Sequence, residues 1–270
     1  MKKTQVNNYI MLSLCSTILH FMLLPQTDMI FPRDRIIHVL ISYVLFFILI
    51  HALQYADFSK GVLKYIITLT LAVRSVYIVH AFVRYFQTFY GSNTFAIIIF
   101  SITVAAMVYD LNDIKISNMY GFFLVLNIFM MIAIFALSIY KLNVANIYAN
   151  NTDFSFSISK TYLFFDVISL AIVIPRGKGR LYAQKRYLSV SLIFVVIVTL
   201  IQGFCVRGNM LYSIPPLQSL FQIYSGNTIK RFDYYFAVIQ TINYFAAIIL
   251  YTNAIKKIYV VEKEDGYDKN

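Results

Sequence analysis

Asp166 is the single carboxylate in TYLFFDVISLAIVIP, residues 161–175, and five cations follow it closely: Arg176, Lys178, Arg180, Lys185 and Arg186. A cluster of this kind beside an apolar run is retained on the cytoplasmic side of a membrane, which predicts a helix entering the cytoplasm with Asp166 inside the bilayer. An ionisable group in hydrocarbon is costly unless it faces a partner or a wet cavity. Asp166 therefore marks an interior face, suited to holding an amine or to coupling a proton or ion, and Ser169 adds a hydroxyl nearby.

Arg74 is the second such residue. It lies ten residues beyond Lys64 in an apolar run, too deep for an ordinary snorkelling side chain, with Tyr77 and His80 following on nearly the same face. It is read either as a cation lining a pocket or pairing with Asp166, or as part of a structural pair or a snorkelled residue. Ser16 and Thr17 interrupt YIMLSLCSTILHFMLLP, and Asn243 and Tyr244 interrupt the last apolar run. A small zwitterion needs a cation or helix N-terminus for its carboxylate and a polar or acidic group for its amine. Ser16, Thr17, Arg74, Tyr77, Asp166, Ser169, Asn243 and Tyr244 are the candidates, although each alone also suits packing or an interhelical hydrogen bond. No paired carboxylates or nucleophile–base arrangement occurs in a loop, so no catalytic residue and no enzymatic activity are expected. His20 and His51 fall near helix ends, the histidines share no short metal spacing, and neither a metal nor a cofactor is expected.

The elements that must position these residues are membrane helices. The 270 residues are 60% hydrophobic and 13% charged, far below the roughly 25% charge of soluble domains. Ten-residue alternation is missing, which argues against a β-barrel. With 24 Phe and 22 Tyr but no Trp, the interfacial belt falls to tyrosine. The net charge of +11 sits in loops, where topology explains it and a nucleic-acid partner is not needed. Cys15 and Cys205 read as buried small hydrophobes.

Eight apolar segments, 8–25, 36–55, 63–84, 94–109, 118–140, 160–175, 187–206 and 233–255, predict an all-α polytopic transmembrane helical bundle. With the N-terminus inside, the cytoplasmic connections hold Lys2, Lys3, Lys60, Lys64, Lys115, the five cations after Pro175, Lys256, Lys257, Lys263 and Lys269. The external ones hold fewer: Arg33, Arg35, Arg84, Lys141, Lys160, Arg207, Lys230 and Arg231. Both termini are thus expected in the cytoplasm, with 256–270 as a tail. Residues 142–159 read as an external linker. The connection 207–232 carries Pro215, Pro216 and the amphipathic run LQSLFQIY, which fits a helix lying on the surface or partly re-entrant.

The first and sixth segments run in opposite directions, both hold small polar residues, and both end in proline, at Pro25 and Pro175. That is a pattern of inverted-repeat transporters. Within 215–236, Pro215, Leu220, Ile223, Gly226, Ile229, Arg231, Phe232, Asp233 and Phe236 give a proline, a short amphipathic helix and then a long helix. In this order the chain resembles the spore-germination permease-like proteins, the integral B subunits of nutrient germinant receptors within the amino acid, polyamine and organocation transporter superfamily. The Tyr-rich third segment, the VYDLNDIKISN turn and the basic loop after Pro175 follow the same order. The resemblance implies an inverted-repeat transporter-like fold, here with about eight helices, shortened from ten. It further implies a nutrient pocket between the first, third, sixth and eighth helices, and assembly with A and C subunits in the lipid of the spore inner membrane. Ser16, Thr17 and Ile18 stand where the family has a Gly-containing break, and Ile168 stands at its acidic position, with Asp166 the nearby carboxylate. The expected role is binding of a small nutrient, an amino acid, that triggers germination; active proton- or ion-coupled permeation is the alternative.

Overall fold

A computed structural model describes residues 60–91, 93–139, 142–148, 168–169, 171–174, 178–205 and 232–267, together with 37, 40, 41, 44, 47, 48, 51–53 and 55–58. Regular structure among these residues is entirely helical. In chain order the elements are α1 (Gly61–Tyr90), α2 (Thr94–Asp110), α3 (Asp113–Ser138), the single turn α4 (Ala145–Tyr148), α5 (Lys178–Cys205) and α6 (Phe232–Tyr267). Helical residues between 37 and 53 and between 168 and 173 fall within the second and sixth apolar segments. The first segment and the connection 207–231 lie outside the described residues.

Two stretches among the described residues are long and apolar enough to cross a membrane: Gly61–Gln87, with mean hydropathy 1.8, and Ala237–Tyr259, with mean hydropathy 1.3. Short turns of specific chemistry join the first three helices. Gly91 ends α1 at φ 60°, a left-handed conformation that glycine adopts without a Cβ penalty. Asn93 then caps α2, its Oδ1 accepting the Phe95 N–H at 3.0 Å, and Gln87 Nε2 donates to Thr94 Oγ1 across the turn. Asn112 caps α3 in the same way, accepting from the Lys115 N–H at 3.0 Å. Hydroxyls inside the helices bond back to their own backbone: Thr70 to the Ile66 carbonyl at 2.8 Å, Thr103 to that of Ile99 at 2.9 Å and Thr241 to that of Ala237 at 2.8 Å. Polar side chains are thereby accommodated in apolar helices without a partner on another helix.

α6 is the central post. From Asn243 to Ala254 its side chains are buried or half-buried on every side, as expected of a helix surrounded by others. One flank packs on α1, whose Leu71, Ile78, Phe82 and Tyr85 form a buried stripe at helical spacing. The other flank joins α2 and α3 in a core of Val108, Ile116, Tyr120, Phe123, Ala246, Ile249 and Leu250.

Four helices extend by five residues or more beyond their predicted limits: α1 runs on to Tyr90 past 84, α3 starts at Asp113 ahead of 118, and α5 and α6 extend furthest. α5 begins at Lys178, so Lys178, Arg180, Lys185 and Arg186 ride on its first turns where a loop was expected. Arg180 to Arg186 are mostly good helix formers and no proline follows until Pro215, so the helix forms despite Gly179 in its first turn. Lys185 Nζ lies over the Phe47 ring, 5.1 Å from its centroid. α6 likewise runs on to Tyr267 where a tail was expected.

The lysines at the start of that extension close the ends of neighbouring helices. Lys256 Nζ donates to the carbonyls of Tyr109 at 2.6 Å, Leu111 at 3.0 Å and Val108 at 3.5 Å, at the C-terminal end of α2. Lys257 Nζ donates to the Val173 carbonyl at 3.4 Å, where the helix of the sixth segment ends. Terminal carbonyls lack intrahelical partners and carry the negative end of the helix dipole, so an ammonium satisfies both requirements. Lys64, buried near the start of α1, lies over the Tyr259 ring, 4.2 Å from its centroid. Away from this cationic end, the segment read as an external linker is tied down. The Asn143 N–H and Asn146 Nδ2 both donate to the Phe204 carbonyl near the end of α5, at 3.0 and 2.8 Å.

Lys256→Met removes the ammonium from three carbonyls at once. It is expected to destabilise the full chain by about 1–3 kcal/mol, read as a lower thermal midpoint in detergent. Lys115→Met, at an exposed position of α3, should stay within about 0.5 kcal/mol of the parent. Equal midpoints for the two variants would show that the carbonyls do not depend on Lys256.

Candidate functional site

Arg74 is half-buried on α1 with its guanidinium over the Tyr77 ring, 5.4 Å from the centroid, a cation–π geometry. Tyr244 on α6 is 1% exposed and packs against Phe82 at 4.4 Å between ring centroids and Tyr85 at 6.2 Å. Tyr77 and Tyr85 both lie close enough to interact with it electrostatically. Among the described residues the buried Tyr244 hydroxyl has no hydrogen-bond partner. A hydroxyl removed from water without a partner is unfavourable by about 1–3 kcal/mol. Arg74 thus stacks on Tyr77, and Tyr77 lies close to Tyr244 where α1 meets α6.

Asn243 turns toward α3. Its Nδ2 donates to Asn127 Oδ1 at 2.8 Å and its Oδ1 accepts from Asn127 Nδ2 at 2.7 Å, while Asn127 Nδ2 also donates to the Phe123 carbonyl at 2.8 Å. Both residues are fully buried. Asn243 therefore serves as an interhelical clasp, and Asn127 is a polar residue that the sequence reading did not single out. The signal was present: Asn127 is a lone amide in the apolar run GFFLVLNIFMM. Ser169 is fully buried, one turn before the carbonyl that Lys257 caps. Ser16, Thr17 and Asp166 lie outside the described residues.

His80 parts company with Arg74 and Tyr77. It lines a cleft of about 460 Å³ between α1, α2 and α6, together with Ser75, Val79, Ser101, Ile248 and Thr252; Arg74 and Tyr77 are not among the lining residues. At 3.6 residues per turn, a six-residue step rotates a side chain by roughly 240°. The expectation of a shared face is corrected accordingly. The cleft offers little polar chemistry, since Ser75 Oγ donates to the Leu71 carbonyl at 2.9 Å and Ser101 Oγ to the Ile97 carbonyl at 2.8 Å. His51 is exposed and meets Phe47 edge-on at 5.6 Å. Among the described residues no three His, Cys, Asp or Glu side chains are close enough together to hold a metal ion.

Compared with known protein families, with characterised proteins and with solved structures, the chain gives no match in any of the three.

The amide clasp makes a quantitative prediction. Asn127→Leu and Asn243→Leu each leave the other amide buried, and each should destabilise the chain by about 1–3 kcal/mol. The double variant removes both amides and should be less destabilised than the sum of the two, by thermal unfolding of the full chain. Strict additivity would mean that the two amides are not coupled.

Proposed function

We propose that the chain is a polytopic membrane protein that binds a small nutrient, an amino acid, in a transporter-like bundle, acting as the membrane subunit of a nutrient germinant receptor. In this reading it sits in the spore inner membrane with both termini in the cytoplasm and passes the binding signal to A and C subunits. The resemblance over 215–236 motivates the family. The helical architecture and its two membrane-length apolar stretches agree with it. The cationic end also agrees. Lys64, Lys256 and Lys257, all assigned to the cytoplasm by their place in the sequence, are found near helix ends that the same assignment puts inside.

The observation that carries the binding reading is Arg74 stacked on Tyr77 in α1, with Tyr77 in turn close to the buried Tyr244, whose hydroxyl has no hydrogen-bond partner among the described residues. A guanidinium and a phenol together suit a carboxylate, the first as a charged fork and the second as a hydroxyl donor. A sensor requires only that the ligand bind two conformations with different affinity, whereas a permease must also produce flux.

The test uses the full chain in lipid nanodiscs with a panel of labelled amino acids. One or a few should bind, and Arg74→Gln should weaken that binding tenfold or more, the factor expected of about 1.5–3 kcal/mol for a charge-assisted hydrogen bond. Tyr244→Phe should weaken it less. Binding of no amino acid, or parental affinity in Arg74→Gln, would overturn the assignment. Uptake of the bound amino acid into liposomes would replace the sensor by the permease.

A further inference from the structure

Exposed tyrosines gather at the lysine-bearing end of the bundle. Tyr65 follows Lys64, whose ammonium lies 4.2 Å from the centroid of the Tyr259 ring, so the start of α1 is level with that part of α6. Tyr109 belongs to the same level, because its carbonyl accepts from Nζ of Lys256, one turn before Tyr259, at 2.6 Å. Tyr182 stands in the second turn of α5, which begins shortly after Val173, and the Val173 carbonyl accepts from Lys257. All four side chains are exposed, Tyr65 most at 67% and Tyr259 least at 37%. They do not form one patch: α1 packs on α2 and α6, whereas α5 packs on α3 and α4. A protein docked against one face of the bundle would therefore not cover them together.

The surface changes chemistry on either side of this level. Farther along α1 the exposed side chains include Ile66, Leu69 and Val73, and the middle of α2 and of α3 exposes Phe100 and Phe129, aromatic rings without a polar atom. Tyr77 is an exposed phenol within this apolar stretch, and its ring carries the Arg74 guanidinium. On the other side of the level come cations: Lys60 precedes α1, paired with Asp57 at 3.8 Å, and Lys115 is exposed in the first turn of α3. A phenol is apolar over its ring and needs a hydrogen bond at its hydroxyl, so it is best placed where hydrocarbon gives way to acceptors and water. Lysine stems lie along apolar surface while their ammonium groups reach the wet side.

We propose that Tyr65, Tyr109, Tyr182 and Tyr259 form a belt lying in the ester and headgroup layer of the leaflet at the lysine-bearing end. Their hydroxyls donate to ester and phosphate oxygens of phospholipids, and their rings meet the first carbons of the acyl chains. The proposal rests on the membrane-spanning orientation proposed above, in which this leaflet is the cytoplasmic one. The belt also sets the depth of the bundle. Arg74 and Tyr77 lie roughly 14–18 Å beyond Tyr65 at 1.5 Å per residue, which places them near the middle of a hydrocarbon layer about 30 Å thick.

The sequence has no tryptophan, so single substitutions in the full chain give unambiguous fluorescent reporters of depth. Tyr65→Trp, Tyr109→Trp, Tyr182→Trp and, as the deep reference, Val73→Trp are reconstituted in phosphatidylcholine vesicles brominated either near the ester end or near the methyl end of the acyl chains. The three tyrosine positions should be quenched more by the ester-end bromines, and Val73 more by the methyl-end bromines, with a depth difference along α1 of roughly 12 Å between Val73 and Tyr65. If one tyrosine variant does not elute as a folded species the other two decide, and Leu69→Trp replaces the deep reference on the same terms. Equal depths at Val73 and the tyrosine positions overturn the proposal, as does a profile at Tyr182 as deep as that at Val73. Quenching at Val73 with none at the tyrosine positions defeats the belt alone, whereas absence of quenching at every position, Val73 included, defeats the membrane reading itself.

Discussion

An amide, ammonium or hydroxyl buried in an apolar bundle costs free energy unless it finds a partner on another helix or on its own backbone. α6 meets this requirement at several levels. Asn243 exchanges two hydrogen bonds with Asn127 on α3. Lys256 gathers the last carbonyls of α2, and Lys257 takes the last carbonyl of the sixth segment's helix. Each bond joins parts of the chain far apart in sequence, and each fixes both the rotation and the depth of α6. The packing of α1, α2 and α3 around it depends on that placement. Hydrophobic contact alone would allow α6 to turn or slide, since one buried aliphatic side chain packs much like another.

Among the described residues the helical character was legible, because a long apolar run leaves few alternatives. Segments predicted over 63–84 and 94–109 are found within α1 and α2, and the Asn112 cap lies in the turn expected between the fourth and fifth segments. Facing was much less legible. When valine, isoleucine and phenylalanine surround a helix on all sides, periodicity gives little indication of which side meets a neighbour. The sequence pattern therefore groups His80 with Arg74, and offers Asn243 as a ligand contact where the structure pairs it with Asn127. The extensions of α5 and α6 were hidden for a different reason: charged residues were read as loop and tail, although lysine, arginine and glutamate favour helix. Of the candidate site, Arg74 stacks on Tyr77 and Tyr77 lies close to Tyr244, Ser169 is buried apart from any described contact with them, and Ser16, Thr17 and Asp166 lie outside the described residues.

α1 thereby has two different sides. On one, the Arg74 guanidinium lies over the Tyr77 ring, which neighbours the buried phenol of Tyr244 on α6. The other borders an apolar cleft against α2. The buried stripe of Leu71, Ile78, Phe82 and Tyr85 lies between them and packs on α6.

The central claim is a bundle that spans the membrane with its lysine-capped end in the cytoplasm. Single cysteines at Leu142→Cys and Asp110→Cys, both exposed, test it in a background where Cys15 and Cys205 are alanine. An impermeant maleimide applied to intact cells should label position 142, and should label position 110 only after the membrane is opened. Labelling of both positions in intact cells, or the reverse order, would contradict the orientation on which the solute site and the tyrosine belt are both drawn.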